Sequence, residues 1–419
     1  MTVTTVTNIE NQAIEAKSAV KKMAMLTTKE KNEALYQLAD SLETHYKQIL
    51  EANNRDLDSG VEKGFDPALM DRLTLTKDRV VEFANGLREV ATLTDPTGHT
   101  ISDWTLDNGL HVKKVTVPLG VIGMIYEARP NVTVDATGLA LKSGNSIVLK
   151  GGSNAIHSNR AIVGVIHQAL EQTAVPREAV QFIDSTDREA TKALFTMNDY
   201  IDVLIPRGGG SLIQAVVQNA TVPVLETGVG NCHLYIDQSA DVQKALSIFI
   251  NAKTDRPAVC NAAETILVHR EWLRQHKEEL ISALQSHTIN VHGDPDVVKI
   301  IPGSSLAGVS EWENEFLSLD IAMKIVSSTE EAISHIDQYG TKHSEAIITE
   351  DAEQANVFFT LVDAAALYHN ASTRFTDGGA LGLGAEIGIS TQKLHARGPM
   401  GLPALTTIKF LMSGNGQIR

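Results

Sequence analysis

A chain of 419 residues, 43% hydrophobic and 21% charged, has an ordinary globular composition with room for two or three cores. Its formal net charge of -15, with no basic run or basic amphipathic stretch, argues against nucleic-acid and anionic-membrane surfaces and leaves any anionic ligand to a local cluster of cations. Two cysteines, Cys232 and Cys260, are too few for a disulfide framework, and neither a signal peptide within Met1 to Glu10 nor an apolar run near the ~20 residues of a membrane span is visible, so the expected setting is the reducing cytoplasm.

From about Glu10 to Leu93 the pattern is one of consecutive amphipathic helices, with Thr27 and Glu30 spaced as a capping box ahead of an Ala34, Leu35, Leu38, Leu42 face. Asp95-Pro96-Thr97-Gly98 ends it. Two extended segments, Ile101 to Leu106 and Leu110 to Val117, flank Asp107-Asn108-Gly109, and an Asn-Gly turn in that position predicts a β-hairpin. From Gly120 onward, strands at Val121 to Ile125, Ser146 to Lys150, Val180 to Ile183, Val203 to Ile205 and Val222 to Glu226 alternate with helices at Val134 to Lys142, Asn154 to Glu171, Asp187 to Met197 and Ser211 to Gln218. That alternation predicts parallel βαβ units in a doubly wound sheet.

A second α/β region follows: Leu234 to Asp237, a helix over Ala240 to Ile250, the loop of Cys260, Thr265 to Val268, a helix from Glu271 to Gln285, and strands at Ile321 to Val326 and Ala346 to Thr349. Beyond Tyr368 the chain is glycine-rich and then gives an extended apolar stretch, Leu405 to Met412. This stretch must pair with the early hairpin or with another subunit, because an exposed apolar edge aggregates. The fold class is therefore α/β, with two doubly wound domains and a small β hairpin or flap. The expected boundaries are 1–236, including the hairpin of about 101–117, then 237–395 carrying Cys260, then a terminal strand within 396–419.

Arg256 to Thr265 holds the first candidate chemistry. A thiol with an ordinary pKa near ~8.5 reacts well at neutral pH only when a cation or a helix N-terminus stabilises its thiolate. Cys260 has Arg256 four residues before it and a predicted helical turn, Asn261 to Glu264, directly after it. Gly208, Gly209 and Gly210, followed by Ser211, join a strand to a helix, where backbone N–H groups can meet a phosphate. Lys150-Gly151-Gly152-Ser153 ends another strand, and ligands of open α/β sheets collect at such ends, so both loops are expected to line one nucleotide crevice. Glu226 lies in a third post-strand loop, and Cys232 beyond it reads as a small buried hydrophobe. The 14 histidines show no metal-ligand spacing, and no G-x-S-x-G elbow is present.

The order of Pro118 to Gly123, Ser143 to Lys150, the glycine loop, the Glu226 loop and a cysteine about thirty residues on resembles the aldehyde dehydrogenase superfamily. Tyr126 to Thr133, Glu226 to His233, Pro257 to Thr265, Asn370 to Phe375 and Gly382 to Thr391 running into His395 to Pro399 are most similar to its branch that reduces gamma-glutamyl phosphate, and the likeness covers essentially the whole chain. The resemblance implies a Cys260 thioester formed with loss of phosphate, reduction to glutamate 5-semialdehyde, and a place in proline biosynthesis. It implies that 1–236 carries the cofactor and 237–395 the catalysis. Lys150 would contact the cofactor ribose and Gly208 to Ser211 would lie near its pyrophosphate, while Glu315 would hold the nicotinamide ribose. Ser153 stands where NAD-preferring relatives often have a glutamate; losing that carboxylate removes repulsion of a 2′-phosphate and favours NADPH/NADP.

Glu226 matches the glutamate that activates water in hydrolytic relatives; in a reductase it would orient groups near the thiol or bind the substrate amine. Asn131 is the candidate oxyanion donor, since the superfamily's Pro-Trp-Asn-Phe-Pro motif is absent. Arg129, Arg256 and Arg397 are candidate partners for the substrate's carboxylate and phosphate, because arginine offers a bidentate fork; ion pairing within the protein is the competing role. The implied partners are a homo-oligomer and a transient complex with glutamate 5-kinase, which makes the labile substrate. The rival assignment is a hydrolytic or acylating aldehyde dehydrogenase with another substrate.

Overall fold

The computed structural model describes residues 3–419, whose contacts gather into two compact units. The first runs to Thr227 and takes in Gly382–Gly388 and Met400–Arg419; the second comprises Gly228–Leu381 and Ile389–Pro399. The division after Thr227 falls before the expected 236/237 boundary, and the segment beyond Leu381 alternates between units instead of staying with one of them to 395.

The first unit opens with α1 (Val3–Met23), α2 (Thr28–Thr44), α3 (Tyr46–Glu62), α4 (Pro67–Leu73) and α5 (Lys77–Thr92). The capping box forms as expected: the Glu30 N–H donates to Thr27 Oγ1 at 3.3 Å and the Thr27 N–H donates to Glu30 Oε2 at 2.8 Å. Two orphan donors of the helix end are thereby satisfied, and Ala34, Leu35, Leu38 and Leu42 are buried. β1 (Thr100–Thr105) and β2 (His111–Pro118) make the predicted antiparallel hairpin. The terminal strand Thr406–Ser413 pairs antiparallel with β2, the first of the two partners its apolar character allowed. Trp104 meets Phe410 edge to face across this sheet, at 6.4 Å between ring centres.

The rest of the first unit is β3 (Val121–Tyr126), α6 (Pro130–Lys142), β4 (Ser146–Gly151), α7 (Ile156–Leu170), β5 (Val180–Phe182), α8 (Arg188–Leu194), β6 (Val203–Arg207) and α9 (Gly210–Asn219). Its four strands are parallel in the order β5-β4-β3-β6. Every residue of β3 and β4 is buried, as parallel strands covered on both faces require. Val121, Ile125, Val148 and Leu204 pack there with Ile9, Ala13 and Ala16 of α1. The predicted strand Val222 to Glu226 shrinks to one bridge between Leu204 and Val224. Pro223 offers only its carbonyl, to the Leu204 N–H, and has no N–H to extend the ladder.

In the second unit, β7 (Cys232–Ile236), α10 (Val242–Thr254), β8 (Ala263–His269), α11 (Arg270–Ser286), β9 (Asn290–Gly293), β10 (Ser305–Leu306), β11 (Asp320–Val326), β12 (Ser344–Ile348) and β13 (Ala366–His369) build a seven-stranded parallel sheet, order β10-β9-β11-β8-β7-β12-β13. Leu234 and Ile236 face Phe249 and Trp272 on one side, while Tyr235 between them packs with Ile333 and Phe358 on the other. This period of two lets one short apolar strand supply two cores. No helix among the described residues is long and apolar enough to cross a membrane.

Candidate active site

Cys260 lies in the connection from α10 to β8. The helical turn expected after it is absent: the Ala262 N–H donates to Val259 O at 3.1 Å, a single turn, and β8 starts at Ala263. Ala262 and Ala263 are fully buried, so the core takes this segment as strand and the expected helix N-terminus is missing from beside the thiol.

What holds the loop is a set of distant groups. Cys260 is half-buried, while Cys232, the first residue of β7, is fully buried. The Cys232 thiol donates to the Cys260 carbonyl, with sulfur 3.2 Å from oxygen. Burial pushes this thiol well up, and nearby acidic groups, Glu345 foremost, reinforce the shift, so it keeps the proton it donates. Gly230 lies against the same carbonyl so closely that a β-carbon would overlap it, and the Gly230 N–H donates to Glu315 Oε1 at 2.8 Å. Burial raises the Glu315 carboxyl against that hydrogen bond.

The base of the loop is closed by an ion pair. Lys253 Nζ meets Glu264 Oε2 at 2.7 Å with both side chains fully buried. The ladder pairs Cys232 with Ala263 and His233 with Thr265, leaving Glu264 as the bulge residue between them. Burial pushes the Glu264 carboxyl up to about 7 and the Lys253 ammonium down, so desolvation outweighs the mutual attraction at both partners. Past the thiol, the Asn261 amide donates to Thr376 O at 2.9 Å and the Thr373 hydroxyl donates to Asn261 O at 2.7 Å.

Of the candidate arginines in this unit, Arg256 is exposed, and no ion pair holds it among the described residues. Arg397 donates to Asp363 at 2.7 Å, a carboxylate that also meets Lys393 at 2.9 Å and Lys342 at 3.5 Å. Hydrogen bonds from Lys393 and Arg397 drive Asp363 far below the carboxylate range. The competing ion-pair role thus describes one terminal nitrogen of Arg397, while its buried Nε makes no hydrogen bond among the described residues.

In the first unit, Lys150, Ser153 and Ser211 line one cleft of about 990 Å³ together with Glu127, Asp187 and Arg188. Lys150 and Ser153, at and just beyond the end of β4, therefore share this cleft with Ser211 in the first turn of α9, while Gly208 to Gly210 between β6 and that serine are not among its lining residues. Lys150 is buried, with Nζ 2.9 Å from Gly151 O, and burial lowers its pKa against the pull of Asp187. The Gly209 N–H, expected to meet phosphate, donates to Glu127 Oε2 at 2.9 Å. Arg129 is half-buried immediately before α6. Asn131, in the first turn of α6, donates to Asp135 at 3.0 Å instead of pointing its amide at an open site. Glu226 is half-buried, next to Thr227, whose hydroxyl donates to Pro206 O of β6 at 2.6 Å.

Chemically, the second unit offers one partly accessible thiol on an immobilised loop, and the first a cleft of dinucleotide size with a buried cation and a hydroxyl at a strand end. Sequence reasoning missed Asn261, Thr373, Arg374 and the Lys253–Glu264 pair, and took Cys232 for a mere hydrophobe. Their only sequence signal was inclusion of four of them in the short motifs around Cys260 and Arg374.

A profile of the aldehyde dehydrogenase family matches residues 1–312. A Bacillus licheniformis protein called gamma-glutamyl phosphate reductase 2 is 67% identical over 411 residues, 98% of this chain and 97% of that one. The crystal structure of gamma-glutamyl phosphate reductase from Thermotoga maritima superposes with a TM-score of 0.95 at 47% identity, covering 98% of this chain and 99% of that one. An acetylating aldehyde dehydrogenase from Geobacillus thermoglucosidasius, 19% identical, shares the fold with a TM-score of 0.71 over 100% of this chain and 98% of its own.

Proposed function

Because the chain belongs to the aldehyde dehydrogenase family, and within it to the gamma-glutamyl phosphate reductases, we propose that Cys260 is its nucleophile and NADPH its reductant. The protein is an oxidoreductase using a nicotinamide cofactor, and it forms glutamate 5-semialdehyde from gamma-glutamyl phosphate in proline biosynthesis. The observation that supports the catalytic assignment is the half-buried, non-disulfide thiol of Cys260 on a loop held by hydrogen bonds on both sides.

Thiolate attack on the acyl phosphate carbonyl forms a carbon–sulfur bond and expels phosphate, leaving a thioester. Sulfur suits both halves of the reaction, since a thioester accepts hydride where a carboxylate does not. Bound nicotinamide supplies that hydride. Breakdown of the hemithioacetal on Cys260 then releases the aldehyde and returns the thiolate. Lys150, Ser153 and the Gly208 to Ser211 turn would hold the cofactor, and Glu315 its nicotinamide ribose. The cleft suits a 2′-phosphate: Arg188 and Lys192 line it with Lys150, and Ser153 brings a hydroxyl rather than a carboxylate. Arg256 and Arg129 remain the cations proposed for the substrate's carboxylate and phosphate, with Asn131 and Glu226 as oxyanion donor and orienting carboxylate. The sheet bearing Trp104 and Phe410 would support a homo-oligomer, the kinase that makes the labile acyl phosphate would be a transient partner, and the cytoplasm would be the setting.

The test is reduction of NADP+ by glutamate 5-semialdehyde with and without phosphate, in wild type and Cys260→Ala, with NAD+ in parallel. We expect turnover that requires phosphate, prefers NADP+ and falls about 10⁴-fold or more in the variant. Phosphate-independent turnover would favour the hydrolytic or acylating alternative, and activity surviving Cys260→Ala would require a different nucleophile.

A further inference from the structure

The Cys260 loop leaves α10 at Asp255 and enters β8 just after Asn261, and one distant side chain touches both ends. Arg374, in the short turn Thr373–Phe375, places Nε 3.1 Å and a terminal nitrogen 3.0 Å from Asp255 Oδ2. Its other terminal nitrogen donates to Asn261 Oδ1. Asn261 answers by donating its amide to Arg374 O at 3.3 Å as well as to Thr376 O. The Arg374 side chain is 16% exposed and Asn261 is 4% exposed, so the bonds between these two lie largely out of water, where fixed geometry is hardest to loosen, while the Asp255 carboxylate is half-exposed.

We propose that Arg374 is a positioning residue for Cys260: its planar fork staples the two arms of the nucleophile loop and so fixes where the sulfur stands. Only a guanidinium can do this, because it presents parallel donors to one side and a further donor to the other; a lysine ammonium at the same place reaches one arm. The loop needs such a staple because it has no helix after the thiol. The inference rests on Cys260 being the reactive thiol and concerns its placement, not contact with substrate.

The test uses the full-length enzyme and three variants: Arg374→Ala, Arg374→Lys and Asp255→Asn, the last at a half-exposed position where folding is not at stake. Two readouts are taken. One is the kcat and KM split of the phosphate-dependent reaction. The other is the pH profile of Cys260 alkylation by iodoacetamide, followed by mass spectrometry of the Cys260 peptide, which needs neither substrate nor cofactor. The expected result is a kcat loss of about 10- to 100-fold in Arg374→Ala with KM values within about twofold. Arg374→Lys and Asp255→Asn should lie between, alkylation profiles should move in the same order, and added guanidine should restore part of the Arg374→Ala activity. A raised KM with unchanged alkylation would make Arg374 a substrate ligand and overturn the proposal, as would wild-type behaviour of Arg374→Lys and Asp255→Asn in both readouts. Loss of the Cys260 assignment would appear separately, as turnover in Cys260→Ala; the alkylation comparison would still report whether Arg374 places that sulfur.

Discussion

The cleft of the first unit, proposed for the cofactor, and the thiol loop of the second are built on opposite plans. The cleft is made mainly from strand–turn–helix units: parallel strands end, the chain turns, helices begin, and the strand ends with the first turns of α8 and α9 line most of the space. The thiol loop has little local structure, and its shape is imposed from afar by Cys232, Gly230, Thr373, Arg374 and Thr376, the last three through Asn261. A site that must accept a large ligand is served by open backbone at strand ends. A site that must hold one sulfur benefits from cross-links that limit where it can go.

The sharpest way to break this comparison is to place the same methyl group in each region. Gly230→Ala puts a β-carbon into the backbone carbonyl of Cys260, so the loop itself must shift. We expect turnover to fall about 100-fold, as for a misplaced reacting group, and stability by roughly 1–3 kcal/mol, the range for overpacking that forces the backbone to shift. Gly208→Ala instead meets the Glu127 carboxylate at 2.6 Å and a Leu212 methyl at 2.9 Å, both far ends of flexible side chains. Its expected effect is a change of less than about tenfold in NADPH affinity, measured by fluorescence titration, with little change in melting temperature. Equal damage at both glycines would erase the distinction between open cleft and clamped loop.

A smaller effect is expected from the second cysteine. Cys232→Ala removes the donor to the Cys260 carbonyl and leaves a small void, which should cost about 1–2 kcal/mol and slow Cys260 alkylation several-fold. Cys232→Ser keeps a donor on a shorter side chain and should recover part of the alkylation rate. If serine and alanine behave alike, the thiol only fills space, as its sequence context suggested.

The same contrast explains what the sequence made legible. Lys150, Ser153 and Ser211 could be placed in one crevice because a strand end and the next residues form a unit whose chemistry is readable in a short window. The hairpin at Asn108-Gly109 and its pairing with the terminal strand followed from turn chemistry and an apolar edge. Nothing local marked Arg374 as part of the Cys260 loop. Its bonds to Asp255 and Asn261 span 119 and 113 residues, and the Cys232 bond spans 28. The helix expected after Cys260 failed for the same reason: pairing of Ala263 with Cys232 in the sheet, with Ala262 and Ala263 fully buried, decided the backbone, and local propensity did not. Arg397 was a reasonable cation to nominate, but its partner Asp363 lies 34 residues away and is crowded by two lysines.

The last and smallest test concerns one carboxylate in each region, fully buried Glu264 and half-buried Asp135. Glu264 in the second unit has Lys253 against it; Asp135 in the first has only the Asn131 amide and a more distant pull from Arg207. Burial pushes Asp135 up to about 6 from an ordinary value of 3.8, against both of those partners. A folded-state pKa above the unfolded one means that the group's contribution is most favourable below about pH 4 and is lost as pH rises through 6. The full shift corresponds to about 3 kcal/mol as an upper bound, and relaxation should leave roughly 1–2 kcal/mol. Asp135→Asn keeps an acceptor for Asn131 and removes the ionisation. It should therefore raise the melting temperature at pH 7.5 by a few degrees, with the gain over wild type shrinking towards pH 4.5. A variant less stable than wild type at pH 7.5 would mean that the Asp135 charge is supported by Arg207 more strongly than burial opposes it, and would give the first unit a buried ion pair of the kind found under the thiol loop.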